Sequence, residues 1–188
     1  ARYGKLCADK TKDQQPDIEK VINTDPKRIS WTRALKADAT RGKEYVYEPL
    51  SLSTSMYRPF AKQWLYFNRH FNEMVYLQPK LFPTSKHRNI VISATGIGAA
   101  KSFSVLATDC IPNLHMHDTG QCFPLYWYER LDSGTESQSE MFEAGGTPDA
   151  DGYIRRDAIT DWALTAFRKH YDDEGIGKED IFWYVYGI

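Results

Sequence analysis

Three groups of residues in this sequence have the types and spacing to do chemistry, and each points to a different kind. The first is a run of cations set among aromatics: Arg58, Lys62, Arg69, Lys80, Lys86, Arg88 and Lys101, with Glu73 the one acid between positions 57 and 101. Such cations can meet phosphates while the neighbouring Tyr, Trp and Phe pack beneath them or stack on bases. A strand with one core face and one solvent face produces the same alternation. Composition therefore leaves both readings open. The second group is Cys110, His115, His117 and Cys122, the ligand types of a structural zinc site within thirteen residues. Their spacing matches no zinc pattern, and the two histidines share a side only on a strand. Buried thiols and a loop histidine pair are the default, no metal is expected, and a small zinc module is the alternative. The third is Thr95-Gly-Ile-Gly-Ala-Ala-Lys-Ser102. A phosphate loop needs Gly directly before the Lys and another five residues earlier, where this chain has Ala100 and Thr95. The dinucleotide fingerprint fails because its third Gly falls at Lys101. A tight turn between two strands is the expectation instead.

Nothing else suggests catalysis. There is no Gly-x-Ser-x-Gly elbow and no Cys with a His and an acid in ordered positions. The carboxylates gather in a Gly- and Ser-rich stretch that cannot hold a general acid and base to tolerance. The chain is expected to carry no catalytic site and to bind no cofactor.

The elements that must position the cations follow from periodicity. Residues 1–24 read as an irregular lead-in and Asp25-Pro26 as a turn, and Ser30–Gly42 predicts a short helix with Trp31, Ala34, Leu35 and Asp38 inward and Gly42 as its left-handed stop. From Glu44 to Tyr128 the period is two. Strands are predicted at 44–47, 50–57, 63–67, 73–77, 89–95, 103–108 and 123–128, with Asn68–Asn72 as a hairpin connection. Residues 129–152 read as a flexible acidic loop, with eight acids against three arginines between 129 and 157. Beyond it, Ile159, Trp162, Ala163, Ala166, Phe167 and His170 mark an amphipathic helix, ended by Gly175 and Gly177, and Lys178-Glu-Asp opens another.

The fold class is thus α+β, a mixed, largely antiparallel sheet with flanking helices. Residues 25–128 form a helix plus a β-rich core, and 153–188 form a helical segment of the same domain. With 188 residues, 41% of them hydrophobic, the chain can bury a sizeable core. A net charge of −1 hides the split between a basic middle and an acidic later stretch, so a local phosphate-binding face needs no basic pI. Three cysteines argue against a disulfide framework, and no run of about 18 apolar residues is present. A cytoplasmic setting without a membrane partner is expected. The chain starts without Met and stops at the apolar Ile181–Ile188, which suggests an excerpt of a longer protein whose bare end favours self-association.

Several motifs in order, Ile29-Ser-Trp31, Tyr57-Arg-Pro-Phe60, Gln63-Trp-Leu-Tyr66, Asn72-Glu-Met-Val-Tyr76, Phe82-Pro83, Gln121–Tyr126 and Asp180–Gly187, resemble the C-terminal specificity region of Type ISP single-polypeptide restriction-modification enzymes, often labelled putative helicases. The resemblance implies a domain that contributes to recognition of a double-stranded DNA sequence. It also implies a parent with a nuclease, an ATP-driven helicase-like motor and an adenine-N6 methyltransferase, the last two being partner domains. Neither a Walker loop nor an Asn-Pro-Pro-Tyr motif is present here. The rival is a structural connector that packs the recognition domain on the methyltransferase.

Overall fold

The computed structural model describes residues 31–131 and 147–188. The expected lead-in, the turn at Asp25-Pro26 and most of the acidic loop lie outside the described residues. The described chain divides into two compact units: the residues up to Ser51 with Tyr66–Val75, and Leu52–Leu65 with Tyr76–Ile188.

In the first unit, helix α1 spans Arg33–Thr40. Thr32 caps it, its Oγ1 accepting the Leu35 N–H at 3.2 Å. Leu35 and Ala39, four apart, lie on one face and are buried beneath Trp31, Tyr45 and Phe71. Gly42, at φ 70°, ends the helix as expected. The expected strand at 44–47 does not form. Its tyrosines stack instead, Tyr45 on His70 at 4.3 Å and Tyr47 on Tyr66 at 5.4 Å. The expected strand at 73–77 also fails, because Met74 and Tyr76 have φ of 54° and 48° and a ladder needs extended backbone.

Among the described residues eight strands form three small open sheets, nearly all of them in the second unit. Strands β1 (Leu52–Arg58) and β2 (Ala61–Tyr66) form a hairpin, and β5 (Ile111–Pro112) runs parallel to β1 on its other side. Strand β3 (Val91–Ala94) lies between β4 (Val105–Thr108) and β6 (Gln121–Pro124), both antiparallel to it. Strand β7 (Tyr126–Arg130) pairs with β8 (Tyr153–Asp157). The single strand expected over 123–128 is therefore two. Leu125 is the corner between them: its N–H donates to Ile90 O, its carbonyl accepts from Ala158 N, and its side chain is buried with Ile92 and Phe182. Strand β8 stands where a helical segment was expected from 153; Tyr-Ile-Arg-Arg-Asp alternates, and only Ile154 is fully buried.

A short helix α2 (Gln78–Leu81) precedes β3. Helix α3 (Asp161–Tyr171) begins at the Thr160 cap and ends at Asp172 in the left-handed region, before the glycines expected to stop it. Its inward side is Ala163, Leu164, Phe167 and Arg168, whereas Trp162 is 80% exposed, against the expected face. Helix α4 (Lys178–Gly187) starts where two acids lead an apolar run, and Asp180 reaches back to accept the Gly177 N–H at 2.8 Å. Ile181 and Phe182 are buried, while Trp183, Tyr184 and Val185 remain exposed. The fold is α+β with small, mostly antiparallel sheets. No helix among the described residues is long and apolar enough to cross a membrane.

Candidate nucleic-acid interface

Strand β1 reaches its end at Arg58 and β2 begins at Ala61, so Pro59 and Phe60 make the whole turn. The turns that best match strand twist need positive φ at the first central residue, which proline's ring forbids. The left-handed position therefore falls on Phe60, at φ 63°. All eight residues from Tyr57 to Trp64 are exposed, Phe60 at 86% and Trp64 at 75%. The Arg58 guanidinium lies over the Tyr57 ring at 4.2 Å and donates to Tyr57 O at 3.0 Å. Among the described residues it has no carboxylate partner.

All seven sequence-predicted cations are exposed. Arg69 belongs to the first unit, and the other six belong to the second. Two of those six are already neutralised locally. Lys62 pairs with Asp109 at 2.6 Å, which raises the lysine pKa and lowers that of the acid. Lys86 pairs with Asp151 at 3.1 Å. Arg58, Lys80, Arg88 and Lys101 have no ion pair among the described residues.

The stretch just before β3 is a stitched joint. His87 is buried, with Nδ1 2.7 Å from Thr84 Oγ1, Nε2 2.8 Å from Asp149 Oδ2, and its ring edge-on to Tyr128 and Tyr153. Asp149 also accepts the N–H groups of Tyr153 and Asp151, each at 2.9 Å. Those backbone bonds first, and His87 next, hold its carboxyl below the usual range. The described residues at the end of the expected acidic loop thus meet the basic segment, Asp149 at His87 and Asp151 at Lys86. Asn89 donates to Leu81 O at 3.0 Å and Tyr126 O at 2.7 Å, and accepts from Ile90 N at 2.9 Å and Tyr126 N at 3.1 Å.

The glycine-bearing segment Thr95–Ser104 joins two antiparallel strands, as expected, with no helix after it to receive a phosphate. It is longer than a tight turn and is braced on the loop before β6. A Cβ at Gly96 would sit 1.9 Å from Thr119 O, Asp118 accepts the Ala100 N–H at 2.9 Å, and His117 Nδ1 lies 2.9 Å from Ser104 Oγ. Ile97 and Phe103 project from it, 94% and 77% exposed, beside Lys101.

The structure does not bring the four residues of the zinc alternative together. No three His, Cys, Asp or Glu side chains among the described residues gather to hold a metal ion. Cys110 packs with Met56 and Met116, Cys122 meets Gln78, His117 meets Ser104 and His115 is exposed. Burial raises the pKa of both thiols. Phe60 and Trp64 are not among the sequence-predicted site residues. The signal for them is Arg-Pro-Phe between two strand-like runs, where proline forces the aromatic residue into the left-handed region.

Among curated proteins no relative matches. Among solved structures, the cryo-EM structure of a DrdV–DNA complex superposes with a TM-score of 0.71 at 36% identity, covering 98% of this chain and 16% of that one. The ATP-dependent Type ISP restriction-modification enzyme LlaBIII bound to DNA gives a TM-score of 0.69 at 26% identity, over 98% of this chain and 10% of that one. A nuclease-deletion mutant of the Type ISP enzyme LlaGI, in complex with a DNA substrate mimic, shares the fold at a TM-score of 0.59 and 23% identity, over 85% of this chain and 11% of that one. This chain therefore spans a small fraction of each of these proteins. Residues 4–188 match the Type ISP C-terminal specificity domain, and the chain belongs to that family.

Proposed function

We propose that this chain contributes DNA target recognition to a larger cytoplasmic restriction-modification protein, whose nuclease, ATP-driven motor and methyltransferase chemistry lies outside these residues. The observation that carries the reading is the match to a specificity domain over nearly the whole chain, with two neighbours above 25% identity solved on DNA. The surface chemistry supports it. Arg58, Lys80, Arg88 and Lys101 are exposed and lack carboxylate partners among the described residues, so they are available to phosphates. Double-stranded DNA is the partner this combination serves.

The test is fluorescence anisotropy of a labelled duplex with the purified chain at rising salt. Log K is expected to fall linearly with log salt, with a slope near −0.9 for each phosphate neutralised. A second reading, a connector that docks the recognition domain on a methyltransferase, draws on the exposed Trp162, Trp183, Tyr184 and Val185 of α3 and α4. Absence of duplex binding at low salt would favour that reading.

A further inference from the structure

We propose that the β1–β2 hairpin enters a groove of duplex DNA and presses Phe60 against a base step as an apolar wedge. The inference rests on the DNA-recognition reading above and names the element that does the reading. Its starting point is an oddity of the turn. A left-handed conformation is unfavourable for a residue that carries a Cβ, and Gly or Asn would fill this position more easily. Burial of the ring would offset that cost, yet Phe60 is 86% exposed. The chain therefore holds an aromatic ring in a strained backbone, in water, at the point of a hairpin. Strain of this kind without a folding return is a signature of a binding element.

Charge selects the partner. From Tyr57 to Trp64 there are two cations and no acid. Arg58 lies over the Tyr57 ring and meets no carboxylate among the described residues. Lys62 is tied to Asp109, but the two side chains are 48% and 67% exposed. Exposed pairs of this kind contribute little, so a phosphate can take the acid's place. A two-stranded ribbon fits a DNA groove, apolar residues including Phe and Pro wedge between base steps, and flanking cations meet phosphates. An apolar tip between cationic shoulders uses every part of that description.

The experiment is selection from a pool of randomised duplexes by the 188-residue chain and three variants, with anisotropy on the selected duplex. The unaltered chain is expected to enrich a motif containing a pyrimidine–purine step, the kind most easily unstacked. Phe60→Gly relieves the turn and removes the wedge. It is expected to fold, to lose the preference at that one step and to bind about tenfold more weakly, as for one mismatched base-pair position. Phe60→Leu, still an apolar wedge, is expected to retain the preference. Trp162→Ala, which removes an equally exposed aromatic elsewhere, is expected to change neither. Selection of the same motif with unchanged affinity by Phe60→Gly would overturn the wedge and leave DNA recognition standing. If the unaltered chain enriches nothing and binds no duplex, both fall. With p-benzoylphenylalanine at position 60, photocrosslinking to the selected DNA supports the proposal, and crosslinking to protein alone sinks it.

Discussion

Residues 57–64 and 84–89 come from the same basic, aromatic stretch of sequence, yet the fold uses them in opposite ways. In the hairpin tip every side chain is exposed, one backbone position is strained, and Arg58 bonds to its neighbour Tyr57. In the joint before β3, Asn89 satisfies four backbone groups and His87 has both ring nitrogens occupied. Polar residues turned inward specify a joint because each unmade bond is costly. Polar residues turned outward cost little to leave unpaired, which keeps them available to a partner.

The sharpest way to break that contrast is Asn89→Ala. Removing the amide leaves buried backbone groups of Leu81, Ile90 and Tyr126 short of partners. Stability should fall by about 3 kcal/mol, from the desolvation cost of unpaired buried groups, as read from denaturant unfolding. Next in size is the combined replacement of Lys80, Arg88 and Lys101 by Ala. These exposed residues should leave stability nearly unchanged. The salt slope of duplex binding should shrink by about 0.9 for each phosphate that is no longer neutralised, and an unchanged slope would remove all three from the interface.

Smaller still is an effect of pH. Asp149 has its folded pKa depressed below the ordinary 3.8. Its contribution is therefore complete above that value and is lost as pH falls through the lower folded one. Asp149→Asn should flatten the stability curve in that acid window, which thermal unfolding across pH can follow. Least of all is Lys86→Ala. Its pair with the half-buried Asp151 should contribute about 1 kcal/mol or less, and because this acid is less exposed than Asp109 and harder for a phosphate to displace, duplex affinity should fall less than on replacing Arg88. A larger fall would mean that phosphate displaces Asp151.

What could be read from the sequence was whatever depends on neighbours along the chain. Helix α1 and its stop at Gly42 were legible, but its inner face was read only in part, since Ala34, expected inward, is exposed and Ala39 is buried with Leu35 instead. The cores of β1, β2, β3 and β4 were legible from their β-branched and aromatic content. The failures have a common cause. Tyr45 and Tyr47 have strand-like types but found ring partners at His70 and Tyr66. Leu125 breaks an apparently continuous strand because the groups that turn it, Ile90 and Ala158, are remote from it along the chain. All seven candidate cations are exposed, but the neutralisation of Lys62 by Asp109 and of Lys86 by Asp151 depends on long-range pairing that spacing does not encode.

The close approach of Gly96 to Thr119 has a consequence for variation. A single methyl group at position 96 would collide with backbone and pry two loops apart, so that site admits one residue type. Ile97, Lys101 and Phe103, on the same loop, face open solvent and can change with little effect on how the loops cross. The arrangement separates a fixed pivot from a freely editable rim, so the surface this loop presents can drift while the scaffold beneath it stays the same.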